Sequence, residues 1–357
     1  MNITMFIASL TGGGAERQIA EMANLFSRYG HNISMVTYSD LIDDYYICSD
    51  VKRIRLAENK GRLAKWIAIL KYFLKTADDG VISFLPGCSR FVVLSSLLRY
   101  RRPYKILAGE RSAMTAPSGV QLQMIKVLYR WVDYVVANSY TQADQIREIN
   151  PKLRNKILTI TNYADLKRYS VSTYKHSPVL RIVILAHYRK EKNCLNLLKM
   201  ANLLKERTTV PFRIEWYGRK YDDVYNECAQ YVEEHNIGHI VSLNDRIDDV
   251  AHILSESDAL CLPSLQEGFS NSIAEAICSG VPVLASDVSD NSIMVHNHVN
   301  GYLFDPNDVE DMCRAFMDFL KLSDEDRQRM GQQSRMIAEQ VFDEKTFVDS
   351  YINLIAG

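Results

Sequence analysis

Two consecutive doubly wound α/β domains are the fold class that this 357-residue sequence predicts. Three observations carry it. Short apolar runs of strand character alternate with longer amphipathic runs of helical character, the pattern of a parallel sheet covered by helices. The alternation breaks once, over residues 162–178 (NYADLKRYSVSTYKHSP), and then restarts. Charge changes sign across the break: residues 1–170 hold 24 Lys and Arg against 14 Asp and Glu, and the remainder holds 18 against 29. A chain of this length also exceeds what one hydrophobic core usually serves.

In the first half, residues 3–10 (ITMFIASL) read as a strand, 15–30 as a helix closed by Gly30, and 32–39 (NISMVTYS) as a second strand. Next, residues 62–75 (RLAKWIAILKYFLK) place Leu63, Trp66, Ile67, Leu70, Phe73 and Leu74 at helical spacing, with Arg62, Lys65, Lys71 and Lys75 as the basic complement. The favoured reading is a domain helix packed on the sheet, and the alternative is an interfacial helix on an anionic bilayer. The run RYRRPYK (99–105) adds to the basic charge. Strands follow at 80–85, 104–110, 133–139 and 156–161. After the break come a strand at 179–187, a helix at 195–207, and strands at 212–218, 239–245 and 259–264. A helix after Phe269 and a strand at 281–287 complete the series. The organisation expected is a first domain over 1–165, a linker over 166–178 and a second domain over 179–340.

Composition narrows the function classes. Hydrophobic residues at 47% and charged residues at 24% are ordinary for a soluble globular protein. Seven scattered cysteines without a Cys-x-x-Cys pair argue against a disulfide framework or a zinc site, and for a reducing cytosol. The opening MNITMFIASL lacks a basic leader and is too short in its apolar run for a signal peptide. No run reaches the ~18 apolar residues of a membrane span. The basic first half suits an anionic partner, either a phosphate-bearing substrate or an acidic membrane surface. Nucleic acid is not expected, because no aromatic-basic recognition motif accompanies the charge.

The glycine cluster TGGGAER (11–17) joins the first strand to the first helix, where Gly13 and Gly14 allow close approach of a ligand and the helix start favours an anion. A dinucleotide site fits poorly, since Arg17 stands at the last glycine position of G-x-G-x-x-G and Asp40 lies too far on. A tight strand-helix turn is the structural alternative.

The stretch SLQEGFSNSIAEAICSG (264–280) says more. Glu267 and Gly268 turn out of a strand, Ser270 and Asn271 offer N-caps, and Glu275 falls about one turn into an apolar helix. Carboxylates accept hydrogen bonds only, so two of them flanking a helix start suit the neighbouring hydroxyls of sugar rings. Complementing the helix dipole is the plainer role for Glu267. Glu275, flanked by Ala, Ile and Cys, is not placed like a solvated residue.

Four runs in order resemble family 4 glycosyltransferases: GGAER, TNYADLKRY (161–169), SESDALCLPSLQEGFSNSIAEAICSGVPVLASD (255–287) with its E-x7-E element, and NHVNGYLFDPND (297–308). The resemblance covers nearly the whole chain. It implies retaining nucleotide-sugar chemistry on two Rossmann-like domains facing across a cleft, the GT-B class. It also implies that the last helix, in EKTFVDSYINLIAG, crosses back so that residues 341–357 complete the first domain. By the same resemblance Glu275 would bind ribose hydroxyls and Glu267 the transferred sugar. The backbone of Phe269, Ser270 and Asn271 would meet sugar and diphosphate, Gly13 and Gly14 would close over the diphosphate, and Gly218 and Arg246 would line the donor. The family places an arginine and a lysine on the diphosphate. Here AHYRKEKN (186–193) keeps the lysine as Lys192 but has His187 for the arginine, and a histidine is only partly charged near neutral pH. Arg189 is expected to compensate, with Lys190 the other candidate.

In LAGERSAM (107–114), Glu110 and Arg111 are expected to face the cleft and orient donor or acceptor, an ion pair between elements being the alternative. His296 and His298 are read as surface residues. No Asp-x-Asp motif stands at a strand end, so neither catalytic metal nor cofactor is expected. The reading that follows is a cytoplasmic, metal-independent retaining glycosyltransferase. Its donor is a nucleotide-diphosphate sugar, most simply UDP-linked, bound by the second domain. Its acceptor is a glycan or a polyprenyl-diphosphate-linked sugar, bound by the first domain, with peripheral contact at an anionic membrane. A nucleotide-sugar epimerase or dehydrogenase, or a non-catalytic sugar-nucleotide-binding partner, are the other classes considered.

Overall fold

The computed structural model describes residues 1–99, 101–111, 117–169, 171 and 178–357. Residues 170 and 172–177 of the expected linker, Tyr100 of the basic run and residues 112–114 of LAGERSAM lie outside the described residues. The chain forms two compact units, Met1–Tyr163 with Asp343–Gly357, and Ala164–Phe342.

The first unit has seven strands: β1 (Asn2–Phe6), β2 (Asn32–Thr37), β3 (Lys52–Arg55), β4 (Gly80–Phe84), β5 (Lys105–Glu110), β6 (Tyr134–Ala137) and β7 (Ile157–Thr159). They pair in the order β3-β2-β1-β4-β5-β6-β7, with parallel registers such as Ile3 opposite Ile33 on one side and Gly80 on the other. Its helices are α1 (Gly14–Arg28), α2 (Arg62–Lys75), α3 (Pro86–Leu97), α4 (Gly119–Lys126) and α5 (Tyr140–Ile149). Central strands are buried on both faces, and all five residues of β4 are enclosed. Strands of that kind read as unbroken apolar runs. The edge strand β3, KRIR, carries no such run. It is held by Arg53, which donates to the Asp43 carboxylate at 3.1 Å and to Thr37 Oγ1 at 2.7 Å.

The second unit adds β8 (Leu180–Leu185), β9 (Phe212–Tyr217), β10 (Val241–Asn244), β11 (Ala259–Leu262), β12 (Val283–Ser286) and β13 (Gly301–Phe304), in the order β10-β9-β8-β11-β12-β13, all parallel. Around them lie α6 (Cys194–Arg207), α7 (Asp222–Glu234), α8 (Val250–Ser255), α9 (Asn271–Cys278), α10 (Asn291–Met294), α11 (Val309–Leu320) and α12 (Asp324–Val341). Ala164 and Tyr169, at and just before the expected linker, are buried with α9 and Phe342 in this unit's core. The last helix, α13 (Glu344–Ala356), buries Phe347, Val348, Tyr351 and Ile355 in the first unit's core. Gly80 makes room for it, since a Cβ there would meet Ile355 Cδ1 at 2.7 Å.

Two parallel sheets, each with strand order reversing beside its first strand, make this a two-Rossmann-like-domain fold of the GT-B type.

Candidate functional site

In the second unit, strand order reverses between β8 and β11, and open α/β sheets bind ligands at the carboxyl ends beside such a reversal. The loops that follow β8, β9, β11 and β12 meet there. Leu265 N–H donates to Glu191 O at 2.9 Å, stitching the β11 loop to the β8 loop. Ser272 Oγ donates to Leu185 O at 2.6 Å, fixing the start of α9 against the end of β8.

Glu267 of the E-x7-E element lies at this edge. Glu267 Oε1 accepts from Lys192 Nζ at 2.5 Å and from Ser264 Oγ at 2.6 Å. Its backbone is held by Ser289, whose hydroxyl donates to Glu267 O at 2.6 Å. Lys192 reaches it because the chain makes a 3-10 turn over Lys190–Lys192 and then reverses at Asn193, φ 60°, a left-handed position that asparagine tolerates. Asn193 Nδ2 secures that reversal by donating to Pro306 O at 2.8 Å. Glu275 sits in the second turn of α9 and is only 5% exposed among buried Ala274, Ala276 and Ile277.

Ser270 occupies the N-cap position of α9 but does not cap it with its side chain. Its hydroxyl donates instead to Asn291 Oδ1 at 2.7 Å, an acceptor pinned because Asn291 Nδ2 donates to Ser286 O at 2.9 Å. Asn271 is the first helical residue. Phe269 turns its ring into the core against Phe342, 6.3 Å between centroids, which leaves its backbone at the site. A helix start without a side-chain cap favours an anion or a hydroxyl.

Cations gather around His187 in the β8 loop. Tyr188 anchors the β8 loop, buried and stacked on Trp216 at 5.5 Å, with its hydroxyl donating to Trp216 O and Asn244 O at 3.0 Å each. Gly218 holds the end of β9 against the same loop: a Cβ there would lie 1.9 Å from Ala186 O. The next residue, Arg219, donates its backbone N–H to His187 Nδ1 at 3.2 Å. Burial, and then the charges of Arg189, Lys192, Arg246 and Arg219, hold the His187 imidazole below its ordinary value, so it does not replace an arginine as a cation. Arg189, expected to compensate, donates to Tyr221 Oη at 2.7 Å, lies over that ring at 4.5 Å, and has Glu191 at 3.8 Å. Arg246 is exposed, 3.9 Å from Asp248. Sequence reasoning missed Arg219, Ser264, Ser289 and Asn291. Arg219 had a signal, a cation directly after the strand-ending Gly218; the others come together only through the fold.

Residues expected to act from the first unit are engaged within it. A Cβ on Gly13 would lie 2.0 Å from Glu16 Oε2, so the chain's own carboxylate folds back over the start of α1, beside Gly14. Burial raises the Glu16 carboxyl above its ordinary value. Arg111 donates to Tyr351 Oη at 2.6 Å, to Asn162 Oδ1 at 3.2 Å and to Ile160 O at 3.3 Å, and stacks over Phe84 at 4.2 Å. It secures α13 and does not project from the strand end. Glu110, expected at a ligand-facing strand end, is wholly enclosed, accepting from Gln121 Nε2 at 3.0 Å and from the Tyr129 hydroxyl. Burial pushes its carboxyl up to about 7.

The pH dependence follows from the direction of that shift. The folded chain holds a proton that the unfolded chain releases, so this group's stabilisation is full below its ordinary value of 4.5 and is lost as pH rises through about 7. We expect unfolding free energy to fall by about 3 kcal/mol from this group between pH 4 and 8, and Glu110→Gln to flatten the profile. Denaturant titrations across that range check it; an equally steep profile in the variant would exclude Glu110 as the source.

Among the described residues, no group of three or more His, Cys, Asp and Glu side chains is placed to hold a metal ion, and no helix is long and apolar enough to cross a membrane.

Residues 173–336 match the family model of glycosyl transferases group 1. The chain is 26% identical over 215 residues to the Escherichia coli UDP-Gal:alpha-D-GlcNAc-diphosphoundecaprenol alpha-1,3-galactosyltransferase, an alignment that spans 54% of this chain and about half, 54%, of that enzyme. It is 23% identical over 287 residues to a Campylobacter jejuni alpha-1,4-N-acetyl-D-galactosaminyltransferase acting on GalNAc-alpha-(1->4)-GalNAc-alpha-(1->3)-diNAcBac-PP-undecaprenol, covering 78% of this chain and 77% of the relative. In fold, it superposes on the Anabaena protein HepE, solved with UDP and glucose, with a TM-score of 0.81 at 15% identity, covering 100% of this chain and 99% of that one. The family model and both of these relatives are of glycosyltransferases.

Proposed function

We propose that the protein is a retaining, metal-independent family 4 glycosyltransferase that moves a sugar from a UDP-linked donor to a polyprenyl-diphosphate-linked glycan in surface glycoconjugate synthesis. The observation that carries it is the Lys192–Glu267 pair, 2.5 Å apart at the reversal of strand order, with buried Glu275 in the adjoining helix. In this reading Glu275 holds the ribose hydroxyls, Glu267 the hydroxyls of the transferred sugar, and Lys192 with the α9 start holds the diphosphate. The acceptor oxygen attacks the anomeric carbon from the face that the diphosphate leaves. As the sugar–phosphate bond breaks, the electron pair goes to the phosphate oxygen, which takes the acceptor proton. Fixed cations and helix dipoles at that oxygen supply what a metal would otherwise provide. No side chain is required as the base.

The acceptor assignment draws on the relatives and on one surface of the first unit, which this reading gives to the acceptor. α2 buries Ile69 and Phe73 but leaves Leu63 76%, Trp66 50% and Ile67 44% exposed. Trp66 meets Phe91 of α3 edge-on at 4.8 Å, and Leu94 and Leu98 continue the Phe91 face, both exposed. Exposed Arg62, Lys71 and Lys75 lie on α2 with this apolar ridge. Apolar insertion with a basic complement suits an anionic bilayer, and a cytoplasmic enzyme docked there would reach a polyprenyl-linked acceptor.

One experiment tests the reading. Radiolabelled UDP-sugars are offered with a polyprenyl-diphosphate-linked glycan in anionic vesicles. We expect transfer with the donor's anomeric configuration kept, a rise in melting temperature with UDP, and about a tenfold or greater loss of vesicle binding in the double variant Trp66→Glu, Leu98→Glu. If UDP gives no stabilisation and no UDP-sugar supports transfer, the reading is wrong.

A further inference from the structure

The charge needed at the diphosphate does not come from His187, and the loops around it indicate where it does come from. Gly218 lets the end of β9 approach the β8 loop, with room for no Cβ beside Ala186 O and His187 Cα. The next backbone N–H, that of Arg219, then reaches His187 Nδ1 at 3.2 Å. An Nδ1 that accepts leaves the ring proton on Nε2. Protonating the ring would set two N–H groups against each other at Nδ1 and add a charge among Arg189, Lys192, Arg246 and Arg219. Among the described residues, the ring that packs near it is that of Tyr221, 6.1 Å away, an uncharged neighbour.

The arginines around this imidazole differ in their partners. Arg189 is held by Tyr221 and Glu191, and Arg246 has Asp248. Arg219 has no carboxylate partner among the described residues; its guanidinium lies 5.7 Å from the Tyr221 ring and is exposed. A guanidinium without a carboxylate, acting with Lys192 on the same neutral N–H donor, is arranged to receive an anion with several oxygens, and its planar fork matches phosphate.

We propose that Arg219 binds the diphosphate of the nucleotide donor at this site, delivered from the β9 loop, while His187 serves beside it as a neutral Nε2–H donor. This rests on the nucleotide-sugar reading and adds a residue to it. The position after β8 then needs no arginine, because the cation arrives from the neighbouring strand.

Calorimetric titration of UDP into the whole protein tests it with Arg219→Ala, Arg219→Lys, and Arg219→Ala combined with His187→Arg. Loss of a charge-assisted phosphate contact should weaken UDP binding by about ten- to a hundredfold in Arg219→Ala. Arg219→Lys should recover part of it. The double variant should recover most of it, since His187→Arg returns a guanidinium to the same place from the β8 side. Melting temperatures without ligand should match wild type, because the Arg219 side chain is exposed and its structural contact is made by its backbone. Arg219→Ala binding UDP as tightly as wild type, a double variant no tighter than Arg219→Ala, or a weakened variant with an equally lowered melting temperature each overturns the assignment. Wild type failing to bind UDP at all overturns the nucleotide-sugar reading beneath it, a failure distinguishable because it appears before any variant is made.

Discussion

Glu275→Ala is expected to weaken UDP binding by about thirty- to a thousandfold, that is, by about 2–4 kcal/mol. Glu275 is the one carboxylate that α9 buries, 5% exposed in a helix otherwise made of Ile, Ala and Cys on its inner face. In the proposed reading two ribose hydroxyls are donors that this carboxylate accepts together. Removing it leaves the bound ribose with desolvated, unpaired hydroxyls, which is the expensive outcome for a hydrogen-bonded pair. Glu275→Gln keeps one acceptor oxygen and should lose less. Calorimetric titration with UDP and with uracil measures the effect: the ribose assignment requires that UDP lose affinity steeply while circular dichroism of the unliganded variant stays native. Undiminished UDP binding would remove Glu275 from the site.

Why some of this was legible in the sequence and some was not comes down to what is local. Central strands such as GVISF and ALCL are buried on both faces, so they announce themselves as apolar runs. The edge strands KRIR and GYLF do not: one is basic and held by Asp43, and the other opens on a glycine against which Val283 O packs. The helical spacing of α2 was correct, but spacing cannot say how much of a stripe the domain covers. Ile69 and Phe73 are covered, and Leu63, Trp66 and Ile67 are not. At the site, Glu267, Ser270 and Glu275 lie within one short run, so pattern alone associates them. Glu267 meets Lys192 across 75 residues and Ser289 across 22, and those meetings depend on strand order. Glu110 was misjudged for a related reason. Its place at a strand end is visible, but which way the side chain turns depends on Gln121 and Tyr129, brought against it by later elements.

Lys192→Ala should lower kcat by about a hundred- to a thousandfold, the usual cost of removing a preorganised group aimed at developing negative charge. The leaving diphosphate gains charge as the glycosidic bond breaks, so the ammonium contributes more in the transition state than to the bound donor. The effect should therefore fall on kcat and on kcat/KM alike, with KM little changed. The pairing at 2.5 Å adds a sharper expectation. Lys192 also contacts Glu267, so if Glu267 holds the transferred sugar as proposed, Lys192→Ala should lose part of that hold too. That loss is incomplete, because Ser264 Oγ still donates to Glu267 Oε1 at 2.6 Å. Glu267→Gln alone should reduce transfer, and in the Lys192→Ala background it should cost much less than it does in wild type, since residues in contact do not act independently. A double-mutant cycle on kcat/KM measures this coupling. Strict additivity would mean that the two groups act on separate parts of the donor and that their contact serves the loop alone. A deficit in the double variant smaller than the sum of the singles would establish them as one device, holding the sugar and its leaving group in a common geometry.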